Sequence, residues 1–224
     1  MNQDQVSDKL RIVDLKRILN DDSVIIDVGA HKGEFSAQLR TFTSAKIYAF
    51  EPIEQAFEAL SNLIKDNNFF PVNKAVGKSD GKAIFHVMES FLGSSLLPAV
   101  PDQSSTWLHE THQISVPTIR LDTFIESQSL KNISLLKTDT EGTDFTVLES
   151  AGKYLEPNFI NALLVEISFH EFHRGQDSYW KVMELASSKN YFLAGFYPHF
   201  NHKNWLWWAD ILFLPNNKKY STNL

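Results

Sequence analysis

The chain has 224 residues, a length that fits one large domain and buries enough surface to fold without covalent staples. It contains no cysteine, which excludes a disulfide scaffold, a thiolate nucleophile and any Cys-ligated zinc or iron–sulfur centre. Lys and Arg number 21 against 27 Asp and Glu, and the resulting formal charge of −6 speaks against nucleic acid as a partner.

With 43% hydrophobic and 21% charged residues, the composition is that of a globular protein. No apolar run reaches the roughly 18 residues of a membrane-spanning helix. The opening MNQDQVSDKLRIVDLKRILN lacks an apolar signal core, so a cytoplasmic location is expected. Val6, Leu10, Val13, Leu15, Ile18 and Leu19 stand at helical spacing and predict an amphipathic lead-in helix over residues 1–22. Asn20-Asp21-Asp22-Ser23 ends it.

The main domain is expected over residues 23–215, with a tail at 216–224. Val24–Asp27 is a short β-branched run of the kind found in buried parallel strands, and Gly29-Ala30-His31-Lys32-Gly33 closes it. A helix with Phe35 and Leu39 follows, then a strand at Ala45–Glu51. The next helix carries Ile53, Phe57, Leu60 and Ile64, and a third strand is read at Phe69–Val76. Strand–helix alternation of this kind implies right-handed crossovers and a parallel sheet. Gly77–Gly81 is turn chemistry and Lys82–Val87 a strand, read together as a hairpin. Residues Met88–Gln113 are irregular and suit a lid.

Order resumes with a strand at ISVPTIR and a short helix at LDTFIES. LLKTD (Leu135–Asp139) is the fourth core strand, and a helix carrying Phe145, Leu148, Ala151 and Leu155 follows. ALLVEIS (Ala162–Ser168) is the fifth strand, and SYWKVMELASSKN reads as a helix. YFLAGFYP and WLWWADILFLP are two aromatic-rich strands joined at Phe200–Asn204, and aromatics on both faces leave a central position open as well as an edge one.

The strand–GAHKG–helix junction is the first chemical site. Its glycines let backbone approach a ligand, and the helix start offers free N–H groups. The dinucleotide pattern G-x-G-x-x-G fails here, because His31 and Glu34 stand where glycines belong. Asp27 before the turn suits a cation better than a pyrophosphate, and S-adenosylmethionine carries an ammonium and a sulfonium. Glu51 ends the second strand 22 residues after Gly29, where an acid commonly accepts the ribose hydroxyls. A tight turn with a solvated glutamate is the plainer alternative.

The strings VIIDVGAHKGEFS, YAFEP, NKAVGKSDGKAIF, SSLL, TIRLDTFI, LLKTDTEGTDFTVLESA, LLVEISF and WWADILFLP, in this order, resemble the FkbM-type methyltransferases from about Ser23 to Pro215. LLKTDTEG is the most specific piece, and His31 stands where that family often has Asn. The resemblance implies an α/β class I methyltransferase fold: a mostly parallel seven-stranded sheet with a C-terminal antiparallel hairpin and helices on both faces. It also implies S-adenosylmethionine as cofactor and transfer to a hydroxyl oxygen of a sugar, glycan or natural product. On that pattern Asp27, Gly29, His31, Gly33, Phe35, Glu51, Pro52 and Ala75 would bind the cofactor.

The second chemical site ends the fourth strand, where alternation places Lys137 and Asp139 on one face, with Glu141 beyond. An alcohol is a poor nucleophile at neutral pH, so transfer needs a base or a metal. Asp139, Glu141, Lys137 and His170 are the catalytic candidates; Ser94, Ser95 and Glu166 are the acceptor-binding ones. Thr140 or Thr143 capping a helix beside dipole-stabilised acids explains the same residues without catalysis. The pairs His109/His112, His170/His173 and His199/His202 have metal-like spacing but lie on no clear helix, so a divalent metal is not favoured. Trp205, Trp207, Trp208, Phe196, Tyr197 and Phe200 read first as packing and second as a stacking surface. A nicotinamide-dependent oxidoreductase and a non-catalytic cofactor-binding module are the competing functions.

Overall fold

Strands buried on both faces need helices on both sides, and the chain supplies them in alternation. The computed structural model describes residues 3–100, 108–201 and 203–216. In chain order the elements are α1 (Gln3–Ile18), β1 (Val24–Val28), α2 (Glu34–Arg40), β2 (Lys46–Phe50), α3 (Glu54–Leu63), β3 (Phe69–Val72), β4 (Ala75–Val76), β5 (Gly81–Met88) and β6 (Glu110–Ile119). They continue with α4 (Leu121–Ser127), β7 (Leu135–Thr138), α5 (Asp144–Ser150), β8 (Leu163–Ser168), α6 (Tyr179–Ser188), β9 (Tyr191–Phe200) and β10 (Leu206–Pro215).

Seven strands form one sheet in the order β3-β2-β1-β7-β8-β10-β9. The first five run parallel, and β10 is antiparallel to both β8 and β9. This is the class I methyltransferase fold, with the expected C-terminal hairpin. Alternation along each strand divides the core. Ile25, Leu135, Leu164 and Leu212 pack with Leu15 of α1, Leu39 of α2 and Leu60 of α3. Ile26, Leu136, Val165 and Ile211 pack with Phe124 of α4, Val147 of α5 and Val182 of α6.

Three sequence readings change and an open one is decided. The third strand stops at Val72, and Ala75–Val76 joins a separate three-stranded sheet in the order β4-β6-β5. The hairpin read around Gly77–Gly81 does not form, because β6 lies between its arms, parallel to β4 and antiparallel to β5. Of the two terminal strands, β10 is interior and β9 is the edge. The lead-in helix turns the first half of its expected apolar set outward, with Val6, Leu10 and Val13 exposed by 43%, 53% and 41%, while Leu15, Ile18 and Leu19 pack inward.

The reason for the last change is polar. The Ser7 hydroxyl donates to the Pro198 carbonyl at 2.7 Å, the Tyr197 hydroxyl to Asp14 at 2.8 Å and the Phe200 N–H to Asp4 at 3.2 Å. Arg11 forms a buried ion pair with Asp210 of β10. These contacts fix the face that α1 presents to the β9–β10 hairpin, where Leu15 and Leu19 are buried and Ile12 and Ile18 pack half-buried beside them.

Candidate active site

The parallel strands β1, β2, β7 and β8 end on the same side, and β10 begins there because it runs antiparallel. A cavity of about 460 Å³ opens between them. That volume suits a small-molecule ligand.

The β1 and β2 ends contribute mostly main chain. Gly29 adopts a left-handed φ of 77°, and a Cβ there would lie 1.8 Å from the Asp139 carbonyl oxygen. Only glycine lets the β1 turn pass so close to the end of β7. The N–H groups of Gly29 and Ala30 both donate to the Phe50 carbonyl, at 3.1 and 2.9 Å. Glu51 is buried, and its two carboxylate oxygens accept from the His31 N–H at 3.0 Å and the Ile53 N–H at 2.8 Å. Burial raises its pKa to about 7, against the opposing pull of those N–H groups and of Lys137. Gly29, His31, Glu51, Pro52 and Ala75 all line the cavity.

Asp27, Gly33 and Phe35 do not line it. Asp27 shares the strand face of Ile25 and so points under α1 and α2. There it is fully buried, accepts from the Ser36 hydroxyl at 2.8 Å and pairs with Lys137 at 3.2 Å. Its charge is matched inside the fold rather than offered to a ligand. Gly33 starts α2 against Leu60, where a Cβ would lie 2.8 Å from that side chain. The Phe35 ring lies beneath two cations, Lys137 at 5.5 Å and Arg11 at 5.7 Å.

Lys137 sits behind the cavity wall. Its ammonium lies 3.2 Å from Asp27 and 3.3 Å from Asp139, and donates to the Gly29 carbonyl at 3.3 Å. Burial alone would lower its pKa, but Asp139 and Asp27 outweigh that and hold it raised, so the charge is permanent. Lys137 therefore couples a buried acid to Asp139, whose carboxylate reaches the cavity.

Asp139, Glu141 and Glu166 converge there, with oxygens within 4.8 Å of one another. This is the grouping with metal-ligand spacing among the described residues. Glu141 takes a left-handed φ of 54° and Gly142 follows at 94°. Burial, then Asp139 and Asp144, push the Glu141 pKa to about 8. Burial, then Asp139, push Asp144 to about 6, and burial followed by Asp139 and Glu141 pushes Glu166 well upward. Thr143 holds the cap position of α5 but makes no capping bond, so the acids are not explained by a threonine cap.

The other wall is aromatic and belongs to the segments after β5 and β8 and to the start of β10. Phe91, Leu92, Ser94, Phe172, Trp207 and Trp208 line it. Ser95 lies just behind, its hydroxyl donating to the Glu141 carbonyl at 2.8 Å. His170 is off the cavity: it is exposed, and its Nε2 meets the Leu206 carbonyl at 3.2 Å. Trp205 and Phe196 are exposed by 68% and 43%, so the aromatic cluster divides between cavity wall and surface. His202, and with it the His199/His202 pair, lies outside the described residues. Lys74, Phe91, Leu92 and Phe172 were not singled out from the sequence, and the only local signal for them is proximity to a strand end.

Residues 27–193 match the family described as the FkbM methyltransferase domain. The chain belongs to that family. A fungal relative named Methyltransferase 1, from Beauveria bassiana, is 30% identical over 144 residues, 57% of this chain and 58% of that protein. The match therefore spans little more than half of the relative's length. Among solved structures, an rRNA methylase from Streptococcus thermophilus superposes with a TM-score of 0.54 at 17% identity, covering 93% of this chain and 95% of the other. Aeropyrum pernix fibrillarin, solved with natively bound S-adenosyl-L-methionine, gives 0.53 at 12% identity, covering 92% and 74%. A precorrin-6y C5,15-methyltransferase from Geobacter metallireducens gives 0.52 at 12% identity, covering 93% and 88%. At these identities the likeness is one of fold. Membership of the FkbM methyltransferase family favours methyl transfer over the nicotinamide alternative.

Proposed function

We propose that the protein transfers a methyl group from S-adenosylmethionine to a hydroxyl oxygen of a sugar, glycan or natural product. The observation that carries this reading is the convergence of Asp139, Glu141 and Glu166 on one cavity whose opposite wall holds Glu51. An acidic cavity favours a cationic cofactor. Glu51 would accept the ribose hydroxyls with its remaining lone pairs, while Gly29, His31, Pro52 and Ala75 shape the surrounding wall. The cofactor supplies the activated methyl group.

Asp139 is the candidate base. It faces the cavity, its side chain is 34% exposed, and the Lys137 ammonium pairs with it at 3.3 Å. It would accept the proton of the acceptor hydroxyl as that oxygen becomes nucleophilic. Glu141 and Glu166 would receive further hydroxyls of a polyhydroxylated acceptor, and Trp207, Trp208 and Phe172 offer faces for a sugar ring. Positioning would supply most of the acceleration. Proton removal adds roughly 10²–10⁴-fold. A net charge of −6 supports a small-molecule or glycan acceptor over nucleic acid.

The test is a screen with labelled methyl donor against sugars, nucleotide sugars and other polyhydroxylated compounds, with RNA as a control acceptor. Label in a hydroxyl compound is expected; label in RNA alone overturns the reading. The spacing of the three carboxylates also suits a divalent cation. Arms with EDTA and with added Mg²⁺ separate metal-assisted transfer, abolished and then restored, from transfer by carboxylate alone.

A further inference from the structure

The segment between β8 and α6 carries one ring of the cavity wall, Phe172, and a single side-chain amide closes that segment into a loop. His173-Arg174-Gly175-Gln176 folds back on itself: the Gln176 N–H donates to the His173 carbonyl at 3.1 Å, and Gly175 takes a left-handed φ of 81°. A four-residue turn with positive φ at its third place favours glycine there. The fold-back returns the Gln176 side chain to the residues just before it. Its Oε1 accepts from the Phe172 N–H at 2.8 Å and from the His173 N–H at 3.0 Å, and its Nε2 donates to the His170 carbonyl at 2.7 Å.

An amide suits that set of partners, because its oxygen accepts twice while its nitrogen donates. A carboxylate could take the two N–H groups but would give the His170 carbonyl nothing. That third contact is solvent-exposed, so water can replace it. Gln176 itself is fixed by the β7–α5 turn: a Cβ on Gly142 would lie 2.8 Å from the Gln176 Cβ, and the Asp177 N–H donates to the Gly142 carbonyl at 3.3 Å. The loop is also paired to Pro98–Val100. The Val100 N–H donates to the Phe172 carbonyl and the Arg174 N–H to the Pro98 carbonyl, both at 2.8 Å, and Ala99 bridges to His173. Those bonds occupy one edge of the loop. The N–H groups of Phe172 and His173 and the His173 carbonyl form the other edge, and all three go to Gln176. The Phe172 main chain is thus held from both edges, and its ring meets Trp207 edge-on with centroids 5.6 Å apart.

We infer that Gln176 is a positioning residue for the acceptor side of the cavity: by closing the loop after β8 it holds the Phe172 ring in the wall against which the acceptor packs. Gln176 does not itself line the main cavity. Removing its amide takes the acceptor from two N–H groups of the loop. Half-buried donors in that state turn toward water, and Phe172 carries one of them. The pairing to Pro98–Val100 then holds the loop from one edge only, and the ring loses its fixed place beside Trp207. The cofactor side, built from Gly29, His31 and Glu51, lies across the cavity and should not respond. The inference rests on the methyl-transfer reading only for its KM measurement.

The test uses the full chain with 4-fluorophenylalanine at its 17 phenylalanines, the Phe172 fluorine signal being assigned by its loss in Phe172→Leu. Gln176→Leu keeps the Cβ against Gly142 and removes the amide; Gln176→Glu keeps both accepted N–H bonds and loses only the donated one. The Phe172 signal is expected to shift and broaden in the leucine variant and to stay near its parental position in the glutamate variant. With the hydroxyl compound that the screen labels as acceptor, KM should rise about tenfold in Gln176→Leu, the worth of one hydrogen bond, with kcat nearly unchanged. Affinity for S-adenosylhomocysteine, by calorimetry, should stay within about twofold of the parent. If Gln176→Leu does not fold, Gln176→Met is measured instead. A Phe172 signal or an acceptor KM left unmoved in the folded leucine or methionine variant, whatever the loss in melting temperature, overturns the inference. So does a glutamate variant that behaves like leucine, or a loss of S-adenosylhomocysteine affinity as large as the rise in KM. A moved signal in a protein that methylates no hydroxyl compound keeps the hold of Gln176 on Phe172 and overturns the acceptor reading instead.

Discussion

On the β1–β2 side of the cavity the wall is main chain: glycine turns, N–H groups held to Phe50 and Glu51, and one acid gripped by two of those N–H groups. On the β7–β8 side it is side chain: carboxylates from two strands, four aromatic side chains, and loops that reach in from Phe91–Ser95 and Phe172–Gln176. The first wall resists change because its shape is set by backbone geometry. The second is adjustable, because aromatic and acidic side chains can be exchanged without moving a strand. A fold that binds one cofactor and serves many acceptors needs that division.

The harshest way to break the first wall is Gly29→Ala. The added methyl would meet the Asp139 carbonyl at 1.8 Å, and neither strand end can yield without losing register. The backbone must also hold φ near 77° with a side chain present. Together these should destabilise the fold by more than about 4 kcal/mol. Chemical denaturation checks it; a variant within about 1 kcal/mol of the parent would show that the wall is more yielding than its geometry implies.

The corresponding change on the second wall should leave the fold and remove the chemistry. Asp139→Asn keeps the shape and discards the charge beside Lys137. Turnover should fall by about 10²–10⁴-fold while S-adenosylhomocysteine still binds. Glu141→Gln should give a smaller loss. Near-normal turnover in both would remove these acids from the mechanism and leave the aromatic wall as the whole of the acceptor site.

How far each wall could be read from the sequence follows the same division. Gly29, Glu51 and the strand runs signal themselves locally, because a turn or a strand end is written in adjacent residues. The two-residue spacing of Lys137 and Asp139 was equally visible. What the sequence could not give was the partner strand. Asp27 reads as a ligand for a cation until β1 is paired with β7, which sets Asp27 beside Lys137. The same gap misplaced the lead-in helix, whose apolar spacing was genuine but whose neighbour offers Pro198, Tyr197 and Asp210. Nothing local chooses between His170 and His173, three residues apart. Only the pairing of the chain after β5 with the chain after β8 shows which is exposed and which is buried.

A more moderate effect separates cofactor from acceptor. Glu51→Ala removes the acid of the first wall and leaves its two N–H donors facing the cavity. Affinity for S-adenosylhomocysteine should drop about tenfold to a hundredfold, the worth of one charge-assisted contact. The acceptor-side acids should titrate as before. Calorimetry showing unchanged affinity would mean that Glu51 serves to fix the β1 turn rather than to hold a ligand.

The smallest expected effect is on stability against pH, and it bears mainly on the second wall. Glu141 stands at about 8 in the folded chain, Asp144 at about 6 and Glu166 well above its ordinary range, whereas Glu51 alone, at about 7, represents the first wall. An acid whose pKa is raised by folding binds its proton more tightly in the folded state. Its contribution is complete below the unfolded value, near 4, and is lost as the pH rises through the folded value. Asp210 opposes this. Burial would raise its pKa, but His199 and Arg11 hold it below the ordinary range, so its contribution is lost only as the pH falls toward acid. Between pH 5 and pH 8 the raised acids dominate, and the melting temperature should decline by a few degrees across that window. In Glu141→Gln the decline between pH 6 and pH 8 should flatten, because an acid that titrates at about 8 is gone. Glu51→Gln should flatten it less, since one acid held by two N–H groups stores less repulsion than several acids facing one another. A melting temperature that rises from pH 5 to pH 8 in the parent chain would mean that the acceptor-side acids are ionised in the fold and matched by charge not accounted for in Lys137 and Arg11.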